Sequence, residues 1–168
     1  VAELTPKERL QPSLLDRLTD DEPHTRVESP EKKVLSLERL RDSVRRDLGF
    51  LLNATHLAAV QDLSDYPEVE RSTLNYGVPD LAGRPASSID SGELARAIRR
   101  AIIDFEPRLL KNTLKVEISV DPNQHSPNAL RFDIEADLWS EPLPLRLYLR
   151  TELNLEDGEA RVSEARAV

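Results

Sequence analysis

From Leu37 to Asn53 apolar residues return every three or four positions, at Leu37, Leu40, Val44, Leu48, Leu51 and Leu52. That is the period of one buried helix face, and it predicts a helix over this stretch. Ser36 precedes it as an N-cap candidate, Glu38 lies in the first turn, where the helix dipole favours negative charge, and Asn53 can act as the C-terminal stop. The other face carries Arg39, Arg41, Asp42, Arg45, Arg46 and Asp47, a solvated and arginine-rich surface. A second helix is predicted behind Asp90, with Glu93 three residues later in a capping-box arrangement. Its apolar stripe is Leu94, Ile98, Ile102 and Phe105, with Ala97 and Ala101 beside it and Arg96, Arg99 and Arg100 off it. Pro107 cannot continue a helix, so this one ends near Phe105.

After Pro107 the period changes to two. Leu114, Val116, Ile118 and Val120 alternate with Lys115, Glu117 and Ser119; Leu130, Phe132, Ile134, Ala136 and Leu138 alternate with Arg131, Asp133, Glu135 and Asp137. A third run sets Leu145, Leu147, Leu149, Thr151, Leu153 and Leu155 against Arg146, Tyr148, Arg150, Glu152, Asn154 and Glu156. These are half-buried strands. Asp157-Gly158 reads as a hairpin turn, with Ala160 and Val162 in a short return strand. The predicted class is α+β: two main helices on one face of a three- to four-stranded antiparallel sheet, with the other face charged and open.

Residues 1–34 hold Pro6, Pro12, Pro23 and Pro30 and read as an extended arm, in which Leu10, Leu14, Leu15 and Leu18 have the spacing of one or two amphipathic turns. So short a helix is marginal by itself and must dock on its own domain or on a partner. Residues 35–163 form the single α+β domain and 164–168 a tail. Between the helices, Ala54 to Ile89 is a long connection punctuated by Pro67, Gly77, Pro79, Gly83 and Pro85; connections of this length tend to wrap the surface or carry function.

Composition narrows the chemistry. The 168 residues carry 23 Lys+Arg against 31 Asp+Glu, a net charge of −8, which disfavours a nucleic-acid surface. Without cysteine there is no disulfide, thiolate site or cysteine nucleophile, and no cofactor is called for. No apolar run is long enough to span a bilayer and no secretion signal is visible, so a soluble cytoplasmic protein without direct membrane insertion is expected. The chain starts at Val1 and contains no Met, and its first residues are given no weight.

Candidate catalytic groups are poorly placed. Glu117, Asp133, Glu135 and Asp137 lie on polar strand faces without an apolar pocket to raise a carboxyl pKa. His24, His56 and His125 lack carboxylates at metal-ligand spacing, and Ser87 and Ser88 lack a nucleophile-elbow pattern. Glu106-Pro107-Arg108 is more informative. Either it ends the helix, with Arg108 neutralising the last carbonyls, or Pro107 holds two opposite charges at a rigid corner facing a partner. Both readings stay open on physical grounds.

Three segments occur in order: Ser43-Val44-Arg45-Arg46-Asp47-Leu48-Gly49-Phe50-Leu51-Leu52-Asn53, Leu74-Asn75-Tyr76-Gly77-Val78-Pro79-Asp80, and Phe105-Glu106-Pro107-Arg108-Leu109 before the strands. With the opening Pro-Ser-Leu-Leu-Asp-Arg-Leu at residues 12–18, they resemble the TssE family, baseplate wedge subunits of the bacterial type VI secretion system. That family is similar to the wedge protein of contractile phage baseplates long labelled lysozyme-like. One departure is Asn53-Ala54-Thr55-His56, where the family pattern has Asn-Thr-Arg.

The resemblance implies a non-enzymatic protein in a baseplate docked at the inner face of the cell envelope. Its implied partners are the wedge subunits TssF, TssG and TssK and the sheath subunits TssB and TssC. It implies that Glu106, Pro107 and Arg108, with Arg45 and Arg46 on the arginine-rich helix, contact the helical core of the wedge. It also implies that the domain imitates part of a sheath subunit and starts sheath polymerisation. Peptidoglycan hydrolysis is the alternative the lysozyme label suggests, and another contractile injection particle is the alternative setting.

Overall fold

The computed structural model describes residues 13–19, 24, 37–85, 88–119, 129–140 and 144–165. Ser36, Val120, His125, Ser87, Leu10 and Pro12 lie outside these residues. In chain order the helices are α1 (Leu14–Leu18), α2 (Leu37–Leu52), α3 (Pro67–Glu70) and α4 (Ser91–Phe105), and the strands are β1 (Lys115–Ser119), β2 (Ala129–Leu138), β3 (Leu145–Asn154) and β4 (Ala160–Glu164). The strands form one antiparallel sheet in the order β1-β2-β3-β4.

Alternation translates directly into burial. Phe132, Ile134, Ala136, Leu147, Leu149 and Leu153 form the inner face, and α2 and α4 close over it with Leu40, Val44, Leu48, Leu51, Leu94, Ile98 and Ile102. Helix α2 packs against β4 and α4 against β1, so each helix covers one side of the sheet. The outer face is laced by cross-strand ion pairs: Arg150 to Asp133 at 3.0 Å, Arg146 to Glu135 and Asp137 at 2.8 Å each, and Arg131 to Glu152 at 3.0 Å.

Local details differ from the pattern-based expectation for identifiable reasons. At α4 the Asp90 side chain accepts from the Glu93 N–H at 2.8 Å, which is one half of a capping box. The complete box sits instead at α1, where Ser13 Oγ accepts from the Asp16 N–H and the Asp16 carboxylate accepts from the Ser13 N–H. The Asp157-Gly158 turn is wider than two residues: Leu155 remains buried in the core, Gly158 adopts φ 76°, and its N–H returns to the Asn154 carbonyl at 2.9 Å. Strand β4 extends beyond Val162 to Glu164.

The long connection is organised by side chains that bond to backbone. Asn75 is buried; its amide oxygen accepts from the Ala58 N–H and its amide nitrogen donates to the Glu70 carbonyl. Gly77 has φ 131°, and a Cβ there would run into the Ala54 carbonyl oxygen, so only glycine fits. That close approach lets Val78 pair with Ala54 and His56, tying the Leu74–Asp80 segment to the exit of α2. Burial holds the His56 imidazole below its usual pKa, against the opposing effect of a hydrogen bond with Asn75.

Candidate partner-binding site

Helix α2 presents Ser43, Arg46 and Asp47 at positions i, i+3 and i+4, so the three side chains share a face. Opposite them the chain leaves α4 through Glu106, whose N–H still bonds to the Ile102 carbonyl, and Pro107 turns it toward Arg108. Glu106 is 4% exposed, so its carboxylate needs a charged partner inside the molecule. Arg108 supplies it in a fork: Nε donates to Oε1 at 2.7 Å and Nη2 to Oε2 at 2.6 Å. The same guanidinium reaches across to α2, with Nη1 donating to Ser43 Oγ at 2.7 Å and Nη2 to Asp47 Oδ2 at 2.6 Å.

The network continues into α1. Ser43 Oγ donates to Asp16 Oδ2 at 2.9 Å and Arg46 Nη1 donates to Asp16 Oδ1 at 2.7 Å, while Arg46 Nε holds Asp47 Oδ1 at 2.9 Å. Burial alone would raise the Asp16 pKa, but hydrogen bonds from Ser13, Arg46 and Ser43 outweigh it and bring the carboxyl down to about 2. Burial opposes the charged forms of Arg46 and Arg108 too, yet their carboxylate partners push both guanidinium pKa values up. Tyr76 stands beside the network, edge-on to Phe105 with ring centroids 5.2 Å apart. Burial first, then the charges of Asp47 and Glu106, raise its phenol pKa.

The corner is therefore not a free pair of opposite charges aimed outward. Glu106 faces inward, Pro107 is exposed, and Arg108 joins α4 to α2. Arg46 belongs to the same cluster, whereas Arg45 lies outside it, exposed and paired with Asp42 at 2.9 Å. Sequence reasoning missed Asp16, Ser43 and Asp47 as members of the site. The Ser13-x-x-Asp16 capping spacing was a visible signal for the first; nothing in a helical pattern marks a serine on the buried face as a relay between two charges.

Just past the end of β2, the exposed Trp139 bonds through its main-chain N–H to the Arg108 carbonyl at 2.7 Å. The outer edges of β1 and β4 follow from the ladder. Asn154 pairs with Glu159 and the Ala165 N–H reaches Tyr148, so Arg161 and Ser163 face β3 while Ala160, Val162 and Glu164 face away. Asn53 occupies the first outward place: its oxygen accepts from the Ala160 N–H at 2.9 Å and its nitrogen donates to the Ala160 carbonyl at 2.8 Å. Among the described residues, the outward backbone groups of Val162 and Glu164 have no partner, and those of Val116 and Ile118 on β1 are likewise open.

The carboxylates considered for catalysis are distributed otherwise. Asp133, Glu135 and Asp137 are neutralised by arginines across the sheet. Among the described residues no group of His, Asp and Glu has the arrangement of a metal site, and no helix is long and apolar enough to cross a membrane.

The result is a small helix-on-sheet domain whose charged centre holds three helices together and whose β1 and β4 edges carry, among the described residues, unpaired outward backbone groups. The chain is a member of the baseplate wedge protein gp25 family, which matches residues 38–143 and is also the family of TssE. This makes it a structural baseplate protein of the contractile injection type, interacting with other baseplate components. The matched stretch runs from α2 through β2 and includes the Glu106-Pro107-Arg108 corner; α1, β3 and β4 lie outside it. No curated protein matches the chain.

Proposed function

We propose that the protein is the TssE-type wedge subunit of a type VI secretion baseplate. In this reading it joins TssF, TssG and TssK at the inner face of the cell envelope and starts polymerisation of the TssB and TssC sheath. Pro107, the solvent side of Arg108, Arg46 and the exposed Arg45 form the wedge contact, with Glu106 holding Arg108 in place. The sheath contact is made by strand addition to an open sheet edge, where backbone hydrogen bonds supply affinity and alternate side chains supply register.

The observation that supports the sheath reading is that, among the described residues, the outward backbone groups of Val162 and Glu164 have no partner, with Asn53 blocking Ala160 and so limiting where an added strand can begin. Proline at an edge position whose N–H faces solvent leaves the parent sheet intact but removes a donor that an added strand needs. Val162→Pro is expected to abolish sheath nucleation in a reconstituted baseplate, scored by electron microscopy, while the purified variant still melts cooperatively. Val116→Pro tests the β1 edge in the same way. Normal sheath nucleation by both variants would refute strand addition.

A further inference from the structure

The edge of β4 is closed at one point by a side chain. Residues of β4 alternate between facing β3 and facing outward, and Ala160 is the first outward one. The Asn53 amide oxygen accepts from its N–H at 2.9 Å, and the Asn53 amide nitrogen donates to its carbonyl at 2.8 Å. One group thus exchanges both bonds with one residue, as a residue of an antiparallel neighbour does in a hydrogen-bonded pair. The same nitrogen donates to the Gly49 carbonyl at 2.7 Å, so both of its hydrogens are engaged, and the Asn53 main-chain N–H bonds to that carbonyl as well. The amide is therefore held by the end of α2, 107 residues away in sequence from the strand that it completes.

We propose that Asn53 is a positioning residue for strand addition: it stands in for one residue of a neighbouring strand and ends the ladder, so that a sheath strand pairs with Val162 and Glu164 and stops short of Ala160. This inference rests on the strand-addition reading above and sets the register within it. An incoming peptide group would make the same two bonds to Ala160 that the side-chain amide already makes. Displacement gains no hydrogen bond, and the tethered amide holds its place at high effective concentration. Pairing with Val162 puts one residue of the added strand at the end of the row Ile118, Phe132, Thr151 and Val162, which crosses the inner side of the sheet. Val162 is half-buried against the core, so the residue opposite it is apolar. The stop selects a short extended segment with an apolar residue opposite Val162, and it shortens the edge open to indiscriminate pairing.

The test uses the full chain assembled with its wedge subunits and TssB–TssC, and is read by residue-resolved amide exchange. In the wild-type chain, Val162 and Glu164 are expected to slow by about tenfold or more when sheath is added, with Ala160 protected throughout. In Asn53→Ala the Ala160 amide is expected to exchange fast in the free chain and to slow by a similar factor once sheath is bound, because a strand residue takes the vacated place. Loss of a merely structural tether would not restore that protection. The chain contains no cysteine, so introduced cysteines add a second measurement. Ser163→Cys is expected to form a disulfide with a cysteine walked along the sheath segment, whereas Glu159→Cys, beyond the stop, forms none while Asn53 is intact. Linking of Glu159→Cys with Asn53 intact, or an Ala160 amide of Asn53→Ala that stays fast in the bound chain, overturns the inference; if Asn53→Ala does not fold, the two cysteine variants decide it. If the wild-type chain gains no protection at Val162 and Glu164 and Ser163→Cys links to nothing, strand addition at β4 falls as well; if both are seen and only the Asn53 or Glu159 result fails, this inference alone falls.

Discussion

Arg108 uses all three of its guanidinium nitrogens inside the molecule, on Glu106, Ser43 and Asp47. Removing it leaves Glu106 buried without a counter-charge, the costly way to break an ion pair. Arg108→Ala is therefore expected to destabilise the isolated domain by about 3 kcal/mol in urea unfolding, at the low end of the buried-pair range because Arg108 is 22% exposed. Arg108→Lys should recover only part of this, since an ammonium cannot make the two-pronged contact. A stability unchanged within error in Arg108→Ala would mean that the fork contributes nothing to the fold. The sequence places Glu106 and Arg108 on either side of Pro107, but it shows neither that they pair nor the direction in which they point. That direction depends on Ser43 and Asp47, which are 65 and 61 residues away from Arg108 along the chain.

Elements differ in how much of their placement is local. The strands and the two long helices are legible because burial is periodic, and each apolar position named in β2 lies on the buried side. The connection from Ala54 to Ile89 is not, because its order comes from single side chains such as Asn75 and from the positive φ of Gly77 rather than from a repeat. Helix α1 lies between these cases: its leucine spacing announces a helix, but its docking is polar. That docking is titratable. The Asp16 pKa falls from 3.8 unfolded to about 2 when docked, so its contribution is complete above pH ~4 and is lost as the pH drops toward 2. With solvent screening this corresponds to about 1 kcal/mol, enough to release a five-residue helix. Amide exchange measured between pH 4 and 2, corrected for intrinsic rates, should show α1 losing protection before the sheet does; simultaneous loss would contradict polar docking.

At the scale of the whole molecule, the net charge of −8 conceals a division of labour. Arginines on the outer sheet face neutralise neighbouring acids, Arg108 and Arg46 bind the three helices together, and Leu14, Leu18 and Trp139 remain exposed. The carboxylates Asp133, Glu135 and Asp137 on that face are each held in cross-strand ion pairs. The fold class, the Glu-Pro-Arg unit and the family are legible from one sequence. The interior orientation of that unit and the outward orientation of α1 are not, since both are set by contacts between segments that no local pattern relates. The most direct test of the account is native mass spectrometry of the chain co-expressed with TssF and TssG. It predicts a stable complex containing all three proteins, and recovery of a TssF–TssG complex with this chain left as a free monomer would contradict it.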